Sequence, residues 1–160
     1  MKTKKLTTLA LLAAAAMILS YIESLLPGVG IPGVKLGLAN IAVMFALYRL
    51  GWREAAAVSL VRVIAVTLLF GSLAALLYSV AGALCSLGVM ALLRRTDRFS
   101  CAGVSVAGGV AHNAGQIIAA MLLLSTPGLM YLLPVLVLSG LGAGILTGLA
   151  AAVLIGRIPQ

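Results

Sequence analysis

Five positions carry polar or ionisable side chains inside otherwise apolar stretches: Glu23, Asn40, Arg62, the pair His112-Asn113, and Gln116. Their chemistry is binding chemistry. Arg62 offers a cationic fork suited to a carboxylate or a phosphate. Asn and Gln offer paired donors and acceptors, and histidine offers one of each when neutral. Ser105, Gly109, His112 and Gln116 follow i, i+4, i+7, i+11 spacing, so they share one helical face, which Asn113 borders. Gly108 and Gly109 leave room beside these groups.

Catalytic sets are missing from the same inventory. His112 is the only histidine, and no carboxylate is near it in sequence. No nucleophile, base and orienting group recur together, and no phosphate-cradling glycine loop with its lysine occurs. The chain therefore hydrolyses no ATP alone. Asp97 is the single aspartate, so clustered carboxylates for Mg²⁺-diphosphate chemistry cannot form. Cys85 and Cys101 are isolated and read as free thiols, with no metal site and no cofactor implied.

These groups must be held by elements that cross a membrane. The chain has 160 residues, of which 63% are hydrophobic and 9% charged. A soluble domain carries about 25% charged residues, so lipid is the natural solvent here. An all-α bundle of about six transmembrane helices is expected, with spans near 6–26, 36–50, 55–70, 73–93, 102–124 and 129–155 in a single domain. The second and third are short and need support from their neighbours. Pro27-Gly28-Val29-Gly30-Ile31-Pro32-Gly33 cannot remain helical, and Gly51, Gly71-Ser72 and Pro127-Gly128 mark further turns.

The net charge of +8 does not form a nucleic-acid stripe, because the basic residues punctuate apolar runs. Lys2, Lys4, Lys5, Arg49, Arg53, Arg94, Arg95, Arg98 and Arg157 all fall on one side of a six-helix path, and Lys35 alone lies in the opposite loops. Positive charge stays inside, so both ends are expected in the cytoplasm, with the Pro/Gly-rich loop outside. The basic start and Ala13–Ala16 also fit a secretory signal, but the apolar run continues to Leu26, longer than a signal core.

Arg62 sits near the middle of the third span, where an unpaired arginine costs about 3 kcal/mol. Glu23 is the one acidic residue in the outer half of a span, so Arg62 pairs either with Glu23 or with an anionic ligand. The His112–Gln116 face likewise reads either as an interhelical hydrogen-bond cluster or as a pocket wall. Gly140, Gly144, Gly148, Ala152 and Gly156 make a ridge of small residues at four-residue steps, for packing within the bundle or for docking another subunit. Ala10 and Ala14 share that spacing on the first span.

Pro32-Gly33-Val34-Lys35-Leu36-Gly37-Leu38-Ala39-Asn40-Ile41 resembles a signature of a bacterial membrane family, heptaprenyl diphosphate synthase component I, also called Gx transporter. Gly103 to Gly109, followed by His112-Asn113-Ala114-Gly115-Gln116, resembles its second signature; Arg62 and Tyr131-Leu132-Leu133-Pro134 fit too. The resemblance covers nearly the whole chain. That family looks related to the substrate-binding S components of energy-coupling-factor (ECF) transporters. The resemblance implies a six-helix fold, an outward pocket, and a first external loop acting as a lid. It also implies docking through Ala10 and Ala14 onto a transmembrane coupling subunit joined to two cytoplasmic ATPases.

The expected function is substrate capture for uptake. Lys35 and Arg62 would meet an anionic group; Asn40, His112, Asn113 and Gln116 would complete the pocket. An isoprenoid phosphate or a vitamin precursor fits those demands. The alternatives are a non-catalytic membrane subunit of an isoprenoid or quinone-linked enzyme complex, and a purely structural bundle partner.

Overall fold

A computed structural model describes residues 2–25 and 36–158. Among these residues the chain is all helical: α1 (Lys2–Leu25), α2 (Asn40–Arg49), α3 (Trp52–Phe70), α4 (Leu73–Arg95), α5 (Cys101–Leu124), a 3₁₀ turn (Pro127–Leu132) and α6 (Leu133–Arg157). α1, α4, α5 and the 3₁₀–α6 stretch are long and apolar enough to cross a bilayer. Their outward faces carry exposed leucines and isoleucines, among them Leu11, Leu84, Ile118, Leu122, Leu138 and Leu146. Such a surface requires lipid around it. The molecule is an integral membrane protein.

Helix ends follow local chemistry. Ser72 and Ser100 cap α4 and α5, their hydroxyls accepting from Ala75 N at 3.2 Å and Gly103 N at 3.1 Å. Ser125 ends α5 in the left-handed conformation, with φ 49°. Pro127 opens the 3₁₀ turn, and Pro134 falls in the first turn of α6, where its missing N–H leaves no helical bond unmade. The expected last span is thus a short 3₁₀ piece leading into a long helix.

The second span departs most from expectation. Helix begins at Asn40 rather than Leu36, because Gly37 sits at φ +70° and turns the chain. Asn40 N donates to Gly37 O at 2.8 Å across that turn. At 10 residues α2 is about 15 Å long, too short to cross a bilayer. It is held inside the bundle, packing on α1, α3 and α6, with Val43, Met44 and Leu47 fully buried. α3 starts earlier than expected, at Trp52, and takes Arg53 and Glu54 into its first turn.

α4, α5 and α6 form the tightest layer. A Cβ added to Gly140, Gly144 or Gly148 would meet α5 backbone: Gly109 O at 2.9 Å, Val106 Cα at 2.5 Å, Ala102 Cα at 2.6 Å. The glycine ridge of α6 is therefore an internal seam over those positions. Gly156, at its far end, meets nothing within 4 Å. Gly108 does not open space for a ligand as the sequence suggested; it faces α4, where an added Cβ would strike Met90 Sδ at 2.6 Å.

Contacts between helix ends fix their direction. Lys5 of α1 pairs with Glu54 of α3. Arg94 of α4 donates to Leu47 O and, at 2.9 Å, to Tyr48 O of α2. Arg49 of α2 donates to Ile155 O and Ile158 O at the end of α6. The start of α5 abuts the end of α6. One end of the bundle thus gathers the basic residues, and two of them neutralise the exposed carbonyl ends of helices, where cations are favoured. Arg94 also stacks over the Tyr48 ring, 5.1 Å from its centroid.

Candidate functional site

The opposite half of the bundle holds a cavity of about 120 Å³ to which all six helices contribute. α1 supplies Glu23 near its end. The turn into α2 supplies Gly37 and Asn40. α3 supplies Arg62, Val63, Val66 and Thr67; α4 supplies Ser79 and Ser86. α5 supplies Gly109, His112, Asn113 and Gln116, and α6 supplies Gly140, Ala143, Gly144 and Thr147. Glu23, Asn40, Arg62, His112, Asn113 and Gln116, far apart in sequence, thus line one space.

Arg62 reaches this space from the middle of α3. Its Nε is buried and has no hydrogen-bond partner. The ion pair found among the described residues is Lys5–Glu54, at the other end of the bundle. Glu23 therefore does not clasp Arg62, although its charge acts on the guanidinium through space. Its Oε1 instead accepts from Gly37 N at 2.6 Å, which ties the end of α1 to the turn before α2.

A chain of side-chain hydrogen bonds braces the cavity wall. Asn40 Nδ2 donates to Ser105 Oγ at 3.4 Å, Ser105 and Thr147 hydroxyls lie 3.1 Å apart, and Thr147 Oγ1 donates to Ala143 O at 2.8 Å. Ser105 and Thr147 are fully buried, so this chain locks α2, α5 and α6 together. Asn113 has a similar double role. Its amide donates to Leu136 O at 2.5 Å and to Ser139 Oγ at 3.3 Å while also facing the cavity. Asn113 thus bonds α5 to α6 and lines the cavity at once.

Glycine lets α4 and α5 close around the site. A Cβ on Gly82 would lie 2.7 Å from His112 O and 3.3 Å from His112 Cε1, so the imidazole rests over that glycine. Thr67, Ser79, Ser86 and Thr147 join the lining without having been singled out in the sequence. Ser79 and Ser86 are seven residues apart, on one helical face, and that spacing was the available signal.

Ala10 and Ala14 lie elsewhere, toward the basic half of α1; Ala10 is exposed and Ala14 half-buried. Lys35 and the Pro27–Gly33 run lie outside the described residues. Among the described residues, no group of three His, Cys, Asp or Glu side chains is placed to hold a metal ion, and both cysteines are free.

No curated protein sequence matches the chain. A solved S component of a bacterial ECF transporter shares its fold, with a TM-score of 0.63 at 19% identity, over 98% of this chain and 96% of that one. The family model for heptaprenyl diphosphate synthase component I matches residues 12–154. With that match running from within α1 to the last turn of α6, the chain belongs to the heptaprenyl diphosphate synthase component I family.

Proposed function

We propose that this protein is the substrate-capture subunit of an ECF-type uptake system in a bacterial plasma membrane. The observation that carries the reading is Arg62, which lines a cavity built by six helices while its Nε is buried without a hydrogen-bond partner. A guanidinium kept in a membrane without a carboxylate clasp is costly unless a ligand or water receives it. An anionic group would dock on Arg62, with Asn40, Asn113 and Gln116 supplying neutral hydrogen bonds, His112 completing the wall, and Lys35 adding a second positive charge. Glu23 positions the turn that carries Asn40.

In this reading the basic end faces the cytoplasm, so the cavity opens outward, in keeping with the excess of Lys and Arg at the other end. Ala10 and Ala14 offer a small-residue face on α1 for a transmembrane coupling subunit, which would join two ATPases. The fold likeness to an S component supports that arrangement. The capture subunit itself carries no reaction.

A second reading follows from the family's description: a non-catalytic membrane partner of a prenyl diphosphate synthase. The two separate by affinity purification of the tagged full chain from its native membrane. Capture predicts a membrane coupling protein and two ATPases in the eluate. A soluble prenyl synthase in their place would establish the second reading.

A further inference from the structure

We infer that the cavity selects a compact anion rich in hydrogen-bonding groups and carrying no prenyl chain. The inference rests on the capture reading and narrows its ligand. Three features of the cavity lead to it.

The first is size. A cavity of 150 Å³ accommodates one benzene molecule, and this one measures about 120 Å³. The space beside Arg62 therefore admits one small polar group, and a farnesyl chain, with more than twice the carbons of benzene, would have to leave it through its open side.

The second is the wall. Ser79 and Ser86 on α4, Thr67 on α3, Gln116 on α5 and Asn40 at the start of α2 all line it, whereas its apolar lining is confined to short side chains such as Val63, Val66 and Ala143. Pressing methylenes against those polar groups would strip their water and return no hydrogen bond, a loss of about 1–3 kcal/mol for each group. A ring bearing carbonyl and N–H groups meets the same wall with its bonds made.

The third is Arg62. One guanidinium, rigid and planar, matches one carboxylate or one phosphate in paired contacts. Both sources share that chemistry, and the mass of the bound molecule distinguishes them. The Glu23 carboxylate lines the same cavity and is turned toward Gly37 N. A second strongly anionic group, as in a diphosphate, would meet its repulsion in a cavity where Arg62 is the one Lys or Arg among the described lining residues.

The test is native mass spectrometry of the full chain, extracted gently from its native membrane, with fragmentation of whatever is released. Wild type is expected to retain a heteroatom-rich molecule with a single carboxylate or phosphate and no isoprene units. Arg62→Gln should reduce its occupancy at least about tenfold, the value of a charge-assisted hydrogen bond. Ser79→Ala, which removes only a hydroxyl from the wall, should also reduce it, guarding against a fold defect in the first variant. An Arg62-dependent prenyl phosphate would overturn the inference and leave capture standing. No Arg62-dependent small molecule in wild type would overturn both.

Discussion

Glu23 and Arg62 line the same cavity, yet the carboxylate is bonded to Gly37 N at 2.6 Å and forms no ion pair with the guanidinium. Two opposite charges at membrane depth would ordinarily be expected to clasp. Their separation gives each a different task. Glu23 fixes a turn, and Arg62 lines the cavity with its Nε left without a hydrogen-bond partner.

That turn makes Gly37 sensitive. At φ +70° an L side chain is strained by about 1–2 kcal/mol. Space is not the obstacle, since an added Cβ would find its nearest neighbours, Ala143 Cβ and Thr147 Cγ2, at 4.0 Å. Gly37→Ala should therefore lower unfolding free energy by about that amount while the protein still inserts and folds. Thermal unfolding in lipid nanodiscs measures it.

The α5–α6 seam should tolerate nothing larger than glycine at its centre. Gly144→Leu drives a side chain into Val106 backbone, where even a Cβ lies 2.5 Å from Cα. A loss beyond the usual overpacking cost of about 1–3 kcal/mol is expected, because backbone must move. Gly142→Leu, two positions away and facing open space, should shift stability by less than about 0.5 kcal/mol. Comparing the two by thermal unfolding separates seam from lipid face.

Arg94 and Arg95 are adjacent but unequal. Arg94 donates to the last carbonyls of α2 and stacks on Tyr48; Arg95 is exposed at the end of α4. Arg94→Ala should cost about 1–3 kcal/mol, since hydrogen bonds to a charged donor are lost and partly buried carbonyls are left unmet. Arg95→Ala should cost less than about 0.5 kcal/mol. Equal effects in urea or thermal unfolding would assign both residues to topology alone.

The sequence made the spans legible because apolar runs and turn residues alternate so plainly. It misjudged the start of α2 because hydropathy does not register a backbone turn: Leu36 and Leu38 read as helix, while Gly37 breaks it. The six-helix cavity follows from Asn40, Arg62 and the His112–Gln116 face because polar groups stand out against lipid-like neighbours. Ser79 and Ser86 did not stand out, since serine scarcely interrupts an apolar run and helices tolerate it within a membrane. Gly108 was misread because sequence shows that a residue is small and not which neighbour requires it to be. Arg49 and Arg94 counted only as positive charge, and their role as donors to helix ends depends on three-dimensional proximity.

The most direct test of the account is the stability of the ligand-stripped full chain with Arg62→Leu, measured by thermal unfolding in nanodiscs against stripped wild type. If Arg62 is held for a ligand, removing its unmet charge leaves the melting temperature unchanged or raises it, while binding of the native ligand is lost. A melting temperature lowered by the equivalent of about 3–5 kcal/mol, the cost of breaking a buried ion pair, would show that Arg62 is a structural partner and contradict the account.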